Sequence, residues 1–115
     1  MSKFWKTVIG ATFLLASTMS QAGWSVLGHR DVYRVVLISP TDISNNSVYW
    51  DAMRTLCNKT FCNVVFVANE SDMAVATSRR LSKQERENAL MIYTTNSGFS
   101  WNCTLRPNAD NCFQW

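Results

Sequence analysis

The residues of this chain with the most chemistry open to them are its four cysteines, Cys57, Cys62, Cys103 and Cys112. Paired thiols can work as a redox couple, as half of a metal site or as a disulfide. A catalytic redox couple reads Cys-x-x-Cys, and structural zinc sites bring their ligands in pairs two to four residues apart. Here four and eight residues intervene, "NKTF" and "TLRPNADN". Both segments are polar and turn-forming, so each can bring its two ends within bridging distance. The spacing predicts two local disulfides, Cys57–Cys62 and Cys103–Cys112, and no metal or other cofactor.

The remaining candidates are weaker. His29 is the single histidine, in "HRD", and Asp31 two positions on would share its side of a strand. Such a pair could carry acid–base chemistry, but no serine or cysteine stands beside it in a nucleophile's setting. Asp42, Asp51, Glu85 and Glu87 read as carboxylates near helix ends, where they offset the helix dipole. Arg79, Arg80, Lys83 and Arg86 form the densest basic cluster, with Glu85 and Glu87 interleaved. Arg79, Arg80 and Arg86, with the terminal Trp115, make a candidate binding surface for an anionic partner. No phosphate-binding glycine loop or dinucleotide fingerprint is present.

What must position these residues begins with a leader. Lys3 and Lys6 precede an apolar run from Val8 to Ala16, and Ser20-Gln21-Ala22 puts small residues three and one positions before a cut. That is the layout of a secretory signal peptide of bacterial style, predicted to be cleaved after Ala22. The run is too short for the about 20 residues that a membrane-spanning helix needs, so no stable membrane insertion is expected after cleavage. Export to an oxidising compartment, periplasm or medium, agrees with the disulfides. Without Lys3 and Lys6 the balance is nine Lys+Arg against eight Asp+Glu, a net charge of +1. That excludes the strongly basic character of a nucleic-acid binder. The 93 residues from Gly23 to Trp115 suffice for one domain.

Within that domain "YRVVLIS" and "CNVVFVA" read as buried strands, Tyr33–Ser39 and Asn63–Ala68, and "FSWNCTL" alternates as a half-buried strand. Apolar residues at helical spacing predict a helix from about Val48 to Cys57, with Ser47 as its cap. Ser82 and Glu85 form a capping box opening a second helix, which is carried through Ala89, Leu90, Ile92 and Tyr93 to a stop at Asn96 and Gly98. Gly23–Asp31 has no period and reads as a lead-in. The order strand–helix–strand–helix–strand predicts a small α/β domain, with α+β as the variant. Its three-stranded sheet would open with a parallel crossover, and Phe113 and Trp115 would pack on the open face.

The expectation is a small exported, disulfide-stapled protein without enzymatic activity that binds another exported protein or serves as an accessory module. The alternative is a small periplasmic hydrolase or lyase using Asp and Arg groups with His29.

Overall fold

The computed structural model describes residues 20–21, 23–58 and 62–113. Most of the leader, residues 59–61 of the first disulfide loop, and Trp115 therefore lie outside the described residues. In chain order the elements are β1 (Ser20–Gln21), β2 (Trp24–Arg30), β3 (Tyr33–Ile38), α1 (Asn46–Leu56), β4 (Asn63–Val67), α2 (Lys83–Asn88), β5 (Ala89–Thr94) and β6 (Gly98–Trp101). They form one sheet in the order β1-β2-β3-β4-β5-β6. Five of these strands run four to seven residues, and β1 is a two-residue strand paired along the start of β2. The three-stranded sheet read from the sequence is therefore too small. Among the described strands only β3 and β4 pair in parallel, through the crossover carrying α1; the other pairs are antiparallel.

Two corrections account for the extra strands. The supposed lead-in is β2, registered on β3 from Trp24↔Ile38 to Arg30↔Tyr33 with a bulge between Val26 and Gly28. Val26 and Leu27 lie on opposite faces, and the bulge sets Gly28 opposite Val35, on the same face as Leu27, which breaks the alternation that marks a strand. Gly28 sits there at φ +148°, where a Cβ would come within 3.3 Å of the Val75 Cβ. The second correction is at α2, which ends at Asn88 instead of running through Tyr93. From Ala89 the chain is β5, and a shift in its register on β4 puts both Leu90 and Met91 on one face, with Ala89 and Ile92 on the other. A bulged strand thereby imitates helical spacing.

β4 is buried along its whole length because both sheet faces are covered. On one face α1 lays Tyr49 and Ala52 against Trp24, Val36, Ile38, Val64, Phe66, Leu90 and Trp101. Tyr49 meets Trp101 and Phe66 edge-on at 4.8 and 5.0 Å, and its hydroxyl donates to the Ile43 carbonyl at 2.7 Å. Burial pushes that phenol up to about 12. The cap of α1 is Asn45, whose Oδ1 accepts from the Ser47 amide, so Ser47 lies inside the helix. Asp51 is mid-helix and accepts from Trp24 Nε1 at 3.0 Å, tying α1 to β2. On the other face Met73 and Leu81, from the 69–82 segment, cover Val35, Val65, Val67 and Ala89, with Phe113 packed alongside.

Both disulfides form in the expected pairing, with Cα–Cα distances of 5.3 Å for Cys57–Cys62 and 5.5 Å for Cys103–Cys112. The first joins the end of α1 to the start of β4. They suit an oxidising, extracytoplasmic environment. Among the described residues no helix is long and apolar enough to cross a membrane.

Candidate functional site

The geometry of the basic cluster is set by a residue for which sequence reasoning assigned no role. Arg30 ends β2 with its side chain fully buried. Its five N–H donors are all used: Nε donates to the Arg79 carbonyl at 2.7 Å, Nη1 to the Ala74 carbonyl at 3.0 Å, and Nη2 to the Arg80 carbonyl at 2.9 Å. The two that remain go to Glu85, to Oε2 at 2.5 Å and Oε1 at 2.6 Å. Glu85 also accepts from the Ser82 amide at 2.9 Å and the Ala74 amide at 3.3 Å, while Ser82 Oγ accepts from the Glu85 amide. The capping box read from the sequence is therefore present and doubles as the counter-charge of a buried arginine.

The electrostatics follow from this pairing. Its hydrogen bonds to Arg30 hold the Glu85 carboxyl down at about 2, against the opposing effect of burial. The same bonds raise Arg30. The nearest carboxylate in sequence, Asp31, is not the hydrogen-bonded partner. No local pattern points to a residue 55 positions away, which is why the pair was illegible. An arginine in an apolar strand was the one available signal that a buried counter-charge must exist.

The pair changes the charge balance outside it. Glu85 faces inward and is neutralised, and Glu87 reaches Lys83 at 3.9 Å. Arg79, Arg80 and Arg86 are exposed, and among the described residues none has a carboxylate partner within salt-bridge distance. The Arg79 and Arg80 carbonyls are both fixed on Arg30. Arg86 is steadied by Nη1 donating to the Leu81 carbonyl at 3.1 Å. Arg80 and Arg86 line an open depression of about 390 Å³ with Asp31, Tyr33 and Leu81. Asp31 reaches its rim from the two-residue β2–β3 connection, in the left-handed region at φ 58° that Asp tolerates, with its amide on the Thr77 carbonyl at 2.8 Å. Burial, then the neighbouring Asp31 charge, raises the Tyr33 phenol, and Arg86 opposes them.

The depression thus gathers three candidate residues, Asp31, Arg80 and Arg86. Arg79 lies beside it on the same fixed backbone. His29 is exposed and does not line it. Among the described residues no group of three His, Cys, Asp or Glu could hold a metal. Trp24 and Trp101 are core residues. Trp50 is half-buried, its ring 5.1 Å from Phe99 and 5.9 Å from Trp101. The exposed large apolar residues among those described are Val32 and Leu105, so the described aromatic side chains go into packing. Arg106 behaves differently from the cluster. Its guanidinium lies 4.2 Å from the Trp101 ring centroid and 5.3 Å from that of Tyr49. Its Nε and Nη1 are buried without hydrogen-bond partners.

Compared with known proteins, the chain matches no family model, no curated protein and no solved structure.

Proposed function

We propose that this chain is an exported, non-enzymatic binding module that receives an acidic segment of a partner protein at the depression between Asp31, Tyr33, Arg80 and Arg86. One observation carries the reading: among the described residues Arg79, Arg80 and Arg86 have no carboxylate within salt-bridge distance, and the backbone bearing two of them is fixed by Arg30. With the backbone already fixed, only the side chain is left to order when such a guanidinium meets a carboxylate. Its planar fork can donate two parallel N–H bonds to a carboxylate. Asp31 at the rim offers an acceptor for an N–H or O–H donor of the incoming chain and repels ligands of high negative charge. Contacts of this kind act chiefly on association rate and specificity, and weaken with salt.

The test is capture from the exported fraction of the native host under non-reducing conditions, with the tagged protein and an Arg80→Glu/Arg86→Glu variant of equal thermal stability. A stoichiometric partner held by the first and lost by the second supports the reading. Equal capture by both removes the depression from the account.

A further inference from the structure

The outer edge of β6 is closed by residues 111–113. The Trp101 amide donates to the Asn111 carbonyl and the Phe113 amide to the Trp101 carbonyl, each at 2.9 Å. Asn111 Nδ2 donates to the Phe99 carbonyl, and Trp101 and Cys112 form a parallel bridge. Residues 110–113 thus act as a strap along the edge, with Asn111 held at φ 58°. The first half of the loop has independent anchors: the Thr104 and Leu105 amides donate to Asn102 Oδ1, and Arg106 stacks on Trp101. The strap itself is tied by the β6 hydrogen bonds, by Phe113 packing and by the Cys103–Cys112 disulfide.

We propose that this disulfide is a latch on the β6 edge, and that opening it frees the edge to pair with a second copy of the chain. Edge strands are ordinarily protected by charge, proline or a covering segment. Gly98–Trp101, "GFSW", has no charge and no proline, so the strap supplies that protection. With the strap gone, the Trp101 amide and carbonyl and the Phe99 carbonyl lose their partners. Two identical uncharged edges can pair antiparallel about a two-fold axis, each supplying what the other lacks. The chemistry is thiol–disulfide exchange with a dithiol. The Cys103–Cys112 S–S bond breaks, two electrons and two protons pass to the two Sγ atoms, and the dithiol closes to its own disulfide.

The experiment uses the full chain carrying Cys57→Ser/Cys62→Ser, in which a dithiol can act only on the latch. In parallel, Cys103→Ser/Cys112→Ser is studied without reductant. Amide exchange and sedimentation are followed together. At dilutions where the protein is monomeric, opening the latch is expected to speed exchange at Trp101 and Phe113 by about tenfold or more and to leave Val65 and Phe66 protected. At higher concentration it is expected to produce a dimer that protects Trp101 again. Unchanged protection at Trp101 in the monomer overturns the proposal, as does release with the protein monomeric at every concentration. Equal loss of protection at β4 and β6 also overturns it, because the disulfide is then a general staple.

Discussion

Arg30 and Glu85, 55 positions apart in sequence, are joined by two charge-assisted hydrogen bonds of 2.5 and 2.6 Å, and the guanidinium is wholly buried. The pair ties β2, the 74–81 segment and α2 into one unit, and it presents Arg79 and Arg80 on a fixed backbone. A buried ion pair contributes little net stability compared with apolar packing, but losing one partner strands the other. Arg30→Ala should therefore destabilise the fold by about 3–5 kcal/mol, read from the urea midpoint. Arg30→Lys, which keeps the charge but cannot reach all five acceptors, should fall between the two. A loss comparable to an exposed arginine's would contradict the assigned role.

Acid should weaken the same pair. The Glu85 carboxyl sits at about 2 in the folded chain and at the usual 4.5 when unfolded. A carboxyl more acidic in the folded state adds stability that is complete above the unfolded value and lost as pH falls toward the folded one. The contribution is about 3 kcal/mol, at ~1.4 kcal/mol per pH unit of separation. Stability of the native chain should decline between about pH 4.5 and 2, and Glu85→Gln should show a flatter decline. Parallel acid limbs would show that another group governs the loss.

Trp101 is the centre of the aromatic packing, within about 6 Å of the Tyr49, Trp50 and Phe99 rings and under the Arg106 guanidinium. Trp101→Ala should cost about 3–5 kcal/mol. Val32→Ala, at a residue 63% exposed, should shift the denaturation midpoint little.

Cys57→Ser/Cys62→Ser opens the short loop between α1 and β4. The expected loss is about 2 kcal/mol, from the chain entropy regained by the unfolded state, with the β3–β4 pairing intact. A molecule that no longer folds would mean that this bridge sets the crossover instead of only tightening it.

The signals legible in the sequence were the local ones. β3 and β4 announced themselves as continuous β-branched runs, α1 by its spacing, the capping box by Ser82 and Glu85, and the disulfides by their turn-forming loops. What failed depended on a neighbouring strand. The bulge at Val26–Gly28 hid β2, and the register shift opposite Leu90 and Met91 made β5 look helical. In the sequence Glu85 and Glu87 are both interleaved with the basic cluster, and only the fold turns Glu85 inward onto Arg30. Arg80 and Arg86 were legible as a cluster. Their meeting with Asp31 and Tyr33 in one depression required the β2–β3 connection and α2 to come together in space.

The most direct test places a photo-crosslinking aromatic amino acid at Tyr33, in the depression, and in a second protein at Thr55, exposed on α1 against the other sheet face. Irradiation in the exported fraction should give a single discrete adduct from position 33 that disappears with Arg80→Glu, and none from position 55. Adducts of equal yield from both positions, or an adduct at 33 indifferent to Arg80→Glu, would contradict the proposal that this basic depression is where the protein binds its partner.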